Sequence, residues 1–166
     1  MLFDISVGWG GCFRWQKIGQ DIDFPASTGI IIETPSFVPY YSGLKNLMEL
    51  AFLQRKIGKA EVEDVLKKVG LFEARNKLVR KYSLGMRQRL GIAQALMENP
   101  DTLILDEPMN RLDNECVNLV RGILAELKRQ GKTILLVSHN AEDIKVLCDE
   151  IYEMDKGKII NKVNYK

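Results

Sequence analysis

The sequence predicts an α/β fold in which a parallel sheet carries an inserted helical subdomain. Two observations predict it. Beyond residue 99, short apolar strands alternate with helices, an order that is typical of parallel sheets. Residues 37–98, in contrast, place their apolar residues at helical spacing. A chain of 166 residues is long enough to form one such domain.

Four segments follow one another along the chain. Residues 1–15 show no sustained strand or helix period and form an atypical N-terminal segment. Residues 16–36 are expected to form a residual N-terminal core, with a buried strand over the apolar run 29–33. Residues 37–98 are the predicted helical subdomain, and residues 99–166 are the predicted α/β core.

The helical subdomain is predicted to contain three helices. Ser42 is a favourable N-cap for the first helix, which begins near Gly43. The second covers residues 61–69 and ends at Gly70, because glycine tolerates the left-handed conformation found at many helix ends. The third covers residues 84–97, and an Asn-Pro-Asp break follows it.

The α/β core is predicted to alternate strands and helices. Asp113 is a good N-cap for a long helix that Gly131 ends, and a short helix covers residues 142–148. Strands are expected at residues 102–105, 133–137, 151–154 and 159–163. The first two are expected to be buried, and the first three to lie in one parallel sheet.

Composition and charge argue against several classes of protein. The net charge of +2 is too small for bulk nucleic-acid binding, so we expect no nucleic-acid partner. The apolar runs are shorter than a membrane span, and the N-terminus lacks the pattern of a signal peptide, so we expect a cytoplasmic chain. The cysteines lack metal-site spacing and His139 is the only histidine, which argues against a zinc site.

Two carboxylates, Asp106 and Glu107, come directly after the predicted strand 102–105. Ligands of open α/β sheets bind at the carboxyl ends of the strands. One carboxylate could hold Mg²⁺ through water, and the other could orient or deprotonate an attacking water. Pro108 is expected to keep Glu107 extended and to help end the strand. The alternative is that both residues only solvate the strand end.

Three further features are ambiguous when each is taken alone. Ser83, Gly85 and Met86 begin a predicted helix, whose free N–H groups and dipole favour an anion, although Ser83 could be an ordinary N-cap. His139 follows a strand and could bind a phosphate oxygen or a water, or serve only a structural role. Asp113, likewise, could be no more than an N-cap.

Together these pieces resemble the nucleotide-binding domain of ATP-binding cassette (ABC) proteins. YSLGM corresponds to the family signature LSGGQ, TLILDEP resembles Walker B, NRLD the D-loop, and VSH the switch-histidine segment. Their order and their places at strand and helix boundaries agree with the family. The resemblance implies a partial P-loop NTPase core. The pairing of IIE with a downstream SGLKNL resembles the branch that exports bacitracin and lantibiotics.

The resemblance implies the cofactors ATP and Mg²⁺ and a role for each residue at the strand ends. Asp106 would bind Mg²⁺, usually through water, and Glu107 would be the catalytic carboxylate for the hydrolytic water. His139 would sense the γ-phosphate. Glu33 stands where the family usually has a glutamine that contacts Mg²⁺ and couples to the membrane partner.

The resemblance also implies two partners. Ser83, Gly85 and Met86 would contact ATP held by a second ABC nucleotide-binding domain, identical or different, and Asp113 would lie at the dimer seam. A transmembrane permease would hold the chain at the inner face of the cell membrane. Leu84 and Arg111 depart from the family, which usually has a glycine and a small residue there, and Met86 replaces a glutamine. Leu84 is expected to alter the backbone, because leucine disfavours positive φ.

The largest departure is that no G-x-x-x-x-G-K-[ST] occurs among the 166 residues. That loop supplies the N–H cradle and the lysine for the phosphates, so we expect weak ATP binding and little or no activity from this chain alone. The first hypothesis is therefore an ATPase subunit with a truncated or wrongly started reading frame. The second is a non-hydrolysing domain that completes the site of another ABC subunit. A third is that the basic stretch 75–89 binds an acidic or phosphate-rich partner.

Overall fold

The computed structural model describes residues 12–13, 16–17, 27–32 and 35–164. Its strands, in chain order, are β1 (Cys12–Phe13), β2 (Gln16–Lys17), β3 (Thr28–Ile31), β4 (Thr102–Asp106), β5 (Thr133–Val137), β6 (Glu150–Asp155) and β7 (Lys158–Asn164). Its α-helices are α1 (Gly43–Gln54), α2 (Lys59–Lys68), α3 (Leu84–Leu96), α4 (Asn114–Arg129) and α5 (Ala141–Leu147). The short strand β1, paired antiparallel with β2, was not predicted from the sequence.

A three-stranded parallel sheet, in the order β3–β4–β5, lies at the centre of the α/β layer. Ile30 aligns with Ile104, and Ile104 aligns with Leu135. The connection from β4 to β5 runs through α4, as parallel strands require. Strand β3 is separated from β4 by α1, α2 and α3, so the helices are inserted between two neighbouring strands. The predicted fold class is confirmed.

One face of this sheet forms the core. Leu103 is 0% exposed and Leu105 is 1% exposed, and both belong to the hydrophobic cluster that includes Val120 and Leu124 of α4. Helix α3 packs so closely on β3 that a Cβ atom at Gly29 would collide with the carbonyl oxygen of Ala95. Glycine at position 29 therefore allows helix and strand to touch.

The opposite face of the sheet is exposed, and the prediction that residues 133–137 form a buried strand is wrong. Leu135 is 48% exposed and Val137 is 51% exposed, while Ile30 on β3 is 38% exposed. Side chains alternate between the two faces of a strand, so these residues point away from the face that α3 and α4 cover. Leu135 and Val137 on this face of β5 are therefore in contact with solvent.

The end of the chain forms a separate hairpin, and the prediction that the strand near residues 151–154 joins the parallel sheet is wrong. Strand β6 pairs antiparallel with β7 instead. The turn between them places Lys156 at φ +47° and Gly157 at φ +77°. Such a tight turn brings the following strand alongside β6, so the hairpin satisfies the backbone hydrogen bonds of β6 locally.

The three predicted helices of the subdomain are confirmed, with small changes at their ends. Ser42 caps α1, because its Oγ atom accepts a hydrogen bond from the backbone N of Lys45 at 3.1 Å. Helix α2 is followed by Gly70 at φ +68°, the left-handed conformation that the sequence predicts there. In the part of the chain that the structure describes, no helix is long and apolar enough to cross a membrane. The four-segment division stays a prediction.

Candidate functional site

The candidate site lies at the carboxyl edge of the parallel sheet. Asp106 is the last residue of β4 and aligns with Val137, the last residue of β5. Glu107 follows β4, and His139 follows β5 by two residues. Because β4 and β5 are neighbours with parallel directions, their ends bring the two loops together.

Glu107 and His139 are joined at one carboxylate oxygen. The backbone N of His139 donates to Glu107 Oε1 at 3.0 Å, and His139 Nδ1 lies 2.6 Å from the same oxygen. The side chain of His139 is 76% exposed, and that of Glu107 is 27% exposed, so solvent reaches the pair. The hydrogen bond that Glu107 accepts from the imidazole, reinforced by the carboxylate charge, raises the pKa of His139 above its ordinary value.

The backbone of Glu107 is left-handed, with φ +46°, so the expectation that Pro108 keeps it extended is wrong. A non-glycine residue in this region is destabilised by about 1–2 kcal/mol, and such residues persist where their surroundings fix them. Here the N–H of Glu107 donates to the Val137 carbonyl at 3.0 Å, and its carbonyl accepts from the N of Asn110 at 3.1 Å. These two bonds and the contact with His139 hold Glu107 in a conformation that its proline neighbour disfavours.

Gln88 connects helix α3 to this strand end, and the sequence reasoning missed it. The residue is 4% exposed. Its Nε2 atom lies 3.2 Å from the carbonyl oxygen of Pro108 and 3.4 Å from that of Glu107. A buried amide must find partners, and these carbonyls supply them. The signal available in the sequence was a long polar side chain on the helix that begins at the signature.

The signature residues form the start of α3. Ser83 caps the helix, since its Oγ atom accepts from the backbone N of Met86 at 3.2 Å. Leu84 is the first residue of the helix and is not among the residues with positive φ. A helical position accepts leucine without strain, and the expectation that leucine alters this backbone relative to the family stays a prediction.

The signature and the D-loop lie together at Gly85. A Cβ atom at this position would lie 3.2 Å from the carbonyl oxygen of Arg111 and 3.6 Å from Leu112 Cδ2. Arg111 itself adopts a left-handed conformation, with φ +67°. The two motifs therefore pack against each other, although Arg111 lies 26 positions after Gly85 in the sequence.

Asp113 caps α4, as the sequence predicts. Its Oδ1 atom accepts a hydrogen bond from the backbone N of Cys116 at 2.8 Å. This bond lowers the pKa of Asp113, because it favours the charged carboxylate. The proposed place of Asp113 at a dimer seam stays a prediction, and Glu33 lies outside the described residues.

Asp106 is the candidate magnesium ligand. Alternation along β4 places it on the same face as Ile104, beside Val137. Among the described residues, no group of three or more His, Cys, Asp and Glu side chains could hold a metal ion. A single carboxylate fits Mg²⁺ of the kind that is bound mainly by phosphate oxygens and water. The residues therefore suit a metal that arrives with a nucleotide, and they do not form a self-sufficient metal cage.

Two cations of the basic stretch 75–89 are engaged within the helical subdomain. The Arg75 guanidinium lies 3.9 Å from the centre of the Phe72 ring. Arg89 Nη1 donates to the carbonyl oxygen of Gly70 at 3.1 Å. These contacts tie the stretch to its own subdomain, which weakens the hypothesis of a basic docking surface.

Comparison with known proteins identifies the family. The sequence profile described as ABC transporter matches residues 15–110, more than half of the chain. The chain belongs to the ABC transporter family. The uncharacterized ABC transporter ATP-binding protein YybJ of Bacillus subtilis (strain 168) is 42% identical over 155 residues, which cover 92% of this chain and 71% of YybJ.

Other comparisons refine the place of the chain among ABC proteins. The bacitracin transport ATP-binding protein BcrA of Enterococcus faecalis is 42% identical over 140 residues, covering 84% of this chain and 46% of BcrA. This similarity confirms the resemblance to bacitracin transport ATP-binding proteins, and the chain spans less than half of BcrA. The dimeric ATP-binding cassette MJ0796, solved in a post-hydrolysis state with ADP and Pi, superposes with a TM-score of 0.80 at 19% identity, over 95% of this chain and 73% of MJ0796. This similarity establishes the fold.

Proposed function

We propose that this chain acts as the ATP-binding subunit of an ABC transporter and contributes the water-activating part of an ATP hydrolysis centre. The observation that carries the proposal is the pairing of Glu107 with His139 at the carboxyl edge of the sheet. The Glu107 carboxylate is held in a strained loop and oriented by a histidine. This arrangement favours a catalytic role over simple solvation of the strand end.

Each residue at the edge has a role in this proposal. Glu107 accepts a proton from, or orients, the water that attacks the γ-phosphate, and its partial exposure lets water approach. His139 fixes the carboxylate and presents the remainder of its exposed imidazole to the phosphate. Asp106 would hold Mg²⁺, which supplies charge neutralisation on the phosphate oxygens when nucleotide is bound.

The signature surface belongs, in this proposal, to the site of a second nucleotide-binding domain. Ser83 and Leu84 are exposed at the N-terminus of a 13-residue helix, where N–H groups and the helix dipole favour a phosphate. Gly85 and Met86 complete this surface, and Asp113 lies beyond the loop that touches Gly85. The dimeric state of MJ0796 supports such a partner.

The transported substrate is proposed from the relatives. BcrA is a bacitracin transport ATP-binding protein, and this chain carries the IIE and SGLKNL runs from which that resemblance was predicted. We therefore propose export of a peptide antibiotic through a transmembrane permease, with this chain on the inner face of the cell membrane. Glu33 is proposed as the residue that couples this chain to the permease.

Turnover of ATP by purified 1–166 tests whether this chain holds a nucleotide by itself. Because the chain contains no G-x-x-x-x-G-K-[ST], we expect weak ATP binding and no Mg²⁺-dependent phosphate release above that of the Glu107→Gln variant. Nucleotide affinity is measured by equilibrium dialysis and turnover by phosphate release. Clear turnover that disappears in Glu107→Gln would show that the chain holds its own nucleotide by another route.

The second candidate function is a non-hydrolysing partner domain, which the exposed signature surface favours. It is tested by mixing the chain with an intact ABC subunit whose own signature serine has been substituted. Restored turnover in the mixture, lost again with Ser83→Arg but kept with Glu107→Gln, would support this function. Restored turnover that also needs Glu107 would support the first candidate.

A further inference from the structure

The loop that carries His139 is tied to a buried ion pair that the proposed chemistry does not use. Asp143 of α5 is 2% exposed. Its Oδ1 atom accepts a hydrogen bond from Arg121 Nε of α4 at 2.7 Å. The side chain of Arg121 is 13% exposed. Burial of opposite charges costs solvation energy, which the hydrogen bond between the two partners offsets.

The second oxygen of Asp143 reaches the residue that precedes His139. Ser138 Oγ donates to Asp143 Oδ2 at 3.3 Å, and the same Oγ accepts from the backbone N of Asn140 at 3.1 Å. Asn140 in turn caps α5, since its Oδ1 atom accepts from the backbone N of Glu142 at 2.9 Å. Both neighbours of His139 are therefore anchored to the start of α5.

His139 itself has little else to hold it in place. Its side chain is 76% exposed, and the two recorded hydrogen bonds of the residue both go to Glu107 Oε1. An exposed imidazole meets one carboxylate oxygen with both its ring and its backbone N–H only if the loop backbone is fixed. The anchors on either side supply that restraint.

We propose that Arg121 and Asp143 are positioning residues: through Ser138 they fix the loop that presses His139 against Glu107. Arg121 holds Asp143, Asp143 holds Ser138, and Ser138 sets the backbone on which His139 sits. The importance of these contacts for catalysis rests on the proposed function. Their effect on the position of His139 does not depend on it.

The test measures the pKa and the backbone mobility of His139 directly. His139 is the only histidine, so its NMR signals are unambiguous. The pKa of His139 and the exchange rate of its backbone amide are measured in the full chain and in the variants Ser138→Ala and Asp143→Asn. Both variants are expected to lower the pKa most of the way to its value in Glu107→Gln and to speed exchange of the amide.

The matched control is Glu142→Gln. Glu142 also pairs with Arg121, at 3.1 Å, but its side chain is 69% exposed, and the carboxylate that accepts from Ser138 is that of Asp143. This variant removes the same charge from the same helix and is expected to leave His139 unchanged. An Asp143→Asn effect that persists in the Glu107→Gln background would show that charge, and not position, is responsible.

Folded Ser138→Ala protein with the wild-type pKa and amide exchange would overturn the proposal. Ser138→Ala changes no charge and leaves the Arg121–Asp143 pair intact, so it decides the matter even if Asp143→Asn does not fold. Since neither readout involves ATP, failure here leaves the proposed hydrolytic role untouched. Failure of the turnover experiments would likewise leave this result standing.

Discussion

Glu107 Oε1 accepts both the backbone N–H and the ring contact of His139, at 3.0 Å and 2.6 Å, although 32 positions separate the two residues in sequence. The contact exists because β4 and β5 are parallel neighbours that end in the same row. It gives the carboxylate a fixed direction and the imidazole a raised pKa. Four predictions concern Glu107, this contact and the sheet that creates it.

Removal of the Glu107 charge should lower the pKa of His139 toward its ordinary value of 6.5. We expect Glu107→Gln to show this in an NMR titration of the single histidine, whereas Glu153→Gln in the exposed hairpin leaves the pKa unchanged. An identical pKa in wild type and Glu107→Gln would mean that the contact does not persist in solution.

The same contact gives stability a defined pH dependence. The folded-state pKa of His139 is raised, so its contribution is fully present below the unfolded value of 6.5 and is lost as pH rises through the folded pKa. The difference in denaturation midpoint between wild type and Glu107→Gln should therefore shrink with rising pH across that range. A difference that grows with pH would contradict the sign of the raised pKa.

Glycine should suit position 107 better than alanine does. Glu107 has φ +46°, which is unfavourable for a residue with a Cβ by about 1–2 kcal/mol, whereas glycine loses about 0.5–1 kcal/mol more chain entropy on folding. Both variants lose the contact with His139, so their stabilities differ mainly through the backbone conformation at position 107. We expect Glu107→Gly to be more stable than Glu107→Ala by about 0.5–1 kcal/mol in urea denaturation. Equal stabilities would argue against a left-handed Glu107.

The two faces of the sheet should respond differently to the same truncation. Leu105 is 1% exposed and Leu135 is 48% exposed. Leu105→Ala should lower the free energy of unfolding by about 2–5 kcal/mol, because it empties a packed site. Leu135→Ala should lower it by about 1 kcal/mol or less, since little buried area is lost. A large loss from Leu135→Ala would mean that this face is covered in solution.

The helices and strands were predicted more accurately than the elements they pair with or pack against. Helix caps at Ser42 and Asp113 are local chemistry, and both were placed correctly. The strand that pairs with β6 depends on tertiary structure and not on the residues of β6 alone. The turn at Lys156–Gly157 places β7 beside it and forms the hairpin. Exposure of β5 could not be read either, because a strand with apolar residues on both faces looks buried whether or not the second face is covered.

At the candidate site, too, local features were predicted and features that depend on tertiary contacts were not. The motif residues stood at strand and helix ends, so the pairing of Glu107 with His139 could be anticipated in outline. The left-handed backbone of Glu107 could not, because it depends on bonds to Val137 and Asn110 that overrule the local preference set by Pro108. The buried Gln88 and Asp143 were also missed, since their partners are distant in sequence.

The central claim, that Glu107 and His139 of this chain form the hydrolytic part of an ATP site, is tested most directly in a chimera. The N-terminal part of an ABC ATP-binding protein, including its G-x-x-x-x-G-K-[ST] loop, is joined to residues 16–166, and steady-state phosphate release with Mg²⁺ and ATP is measured. We predict turnover that falls by about 10²–10⁴-fold in Glu107→Gln while ATP affinity is retained. A chimera that binds ATP and hydrolyses it equally well with glutamine at this position would contradict it.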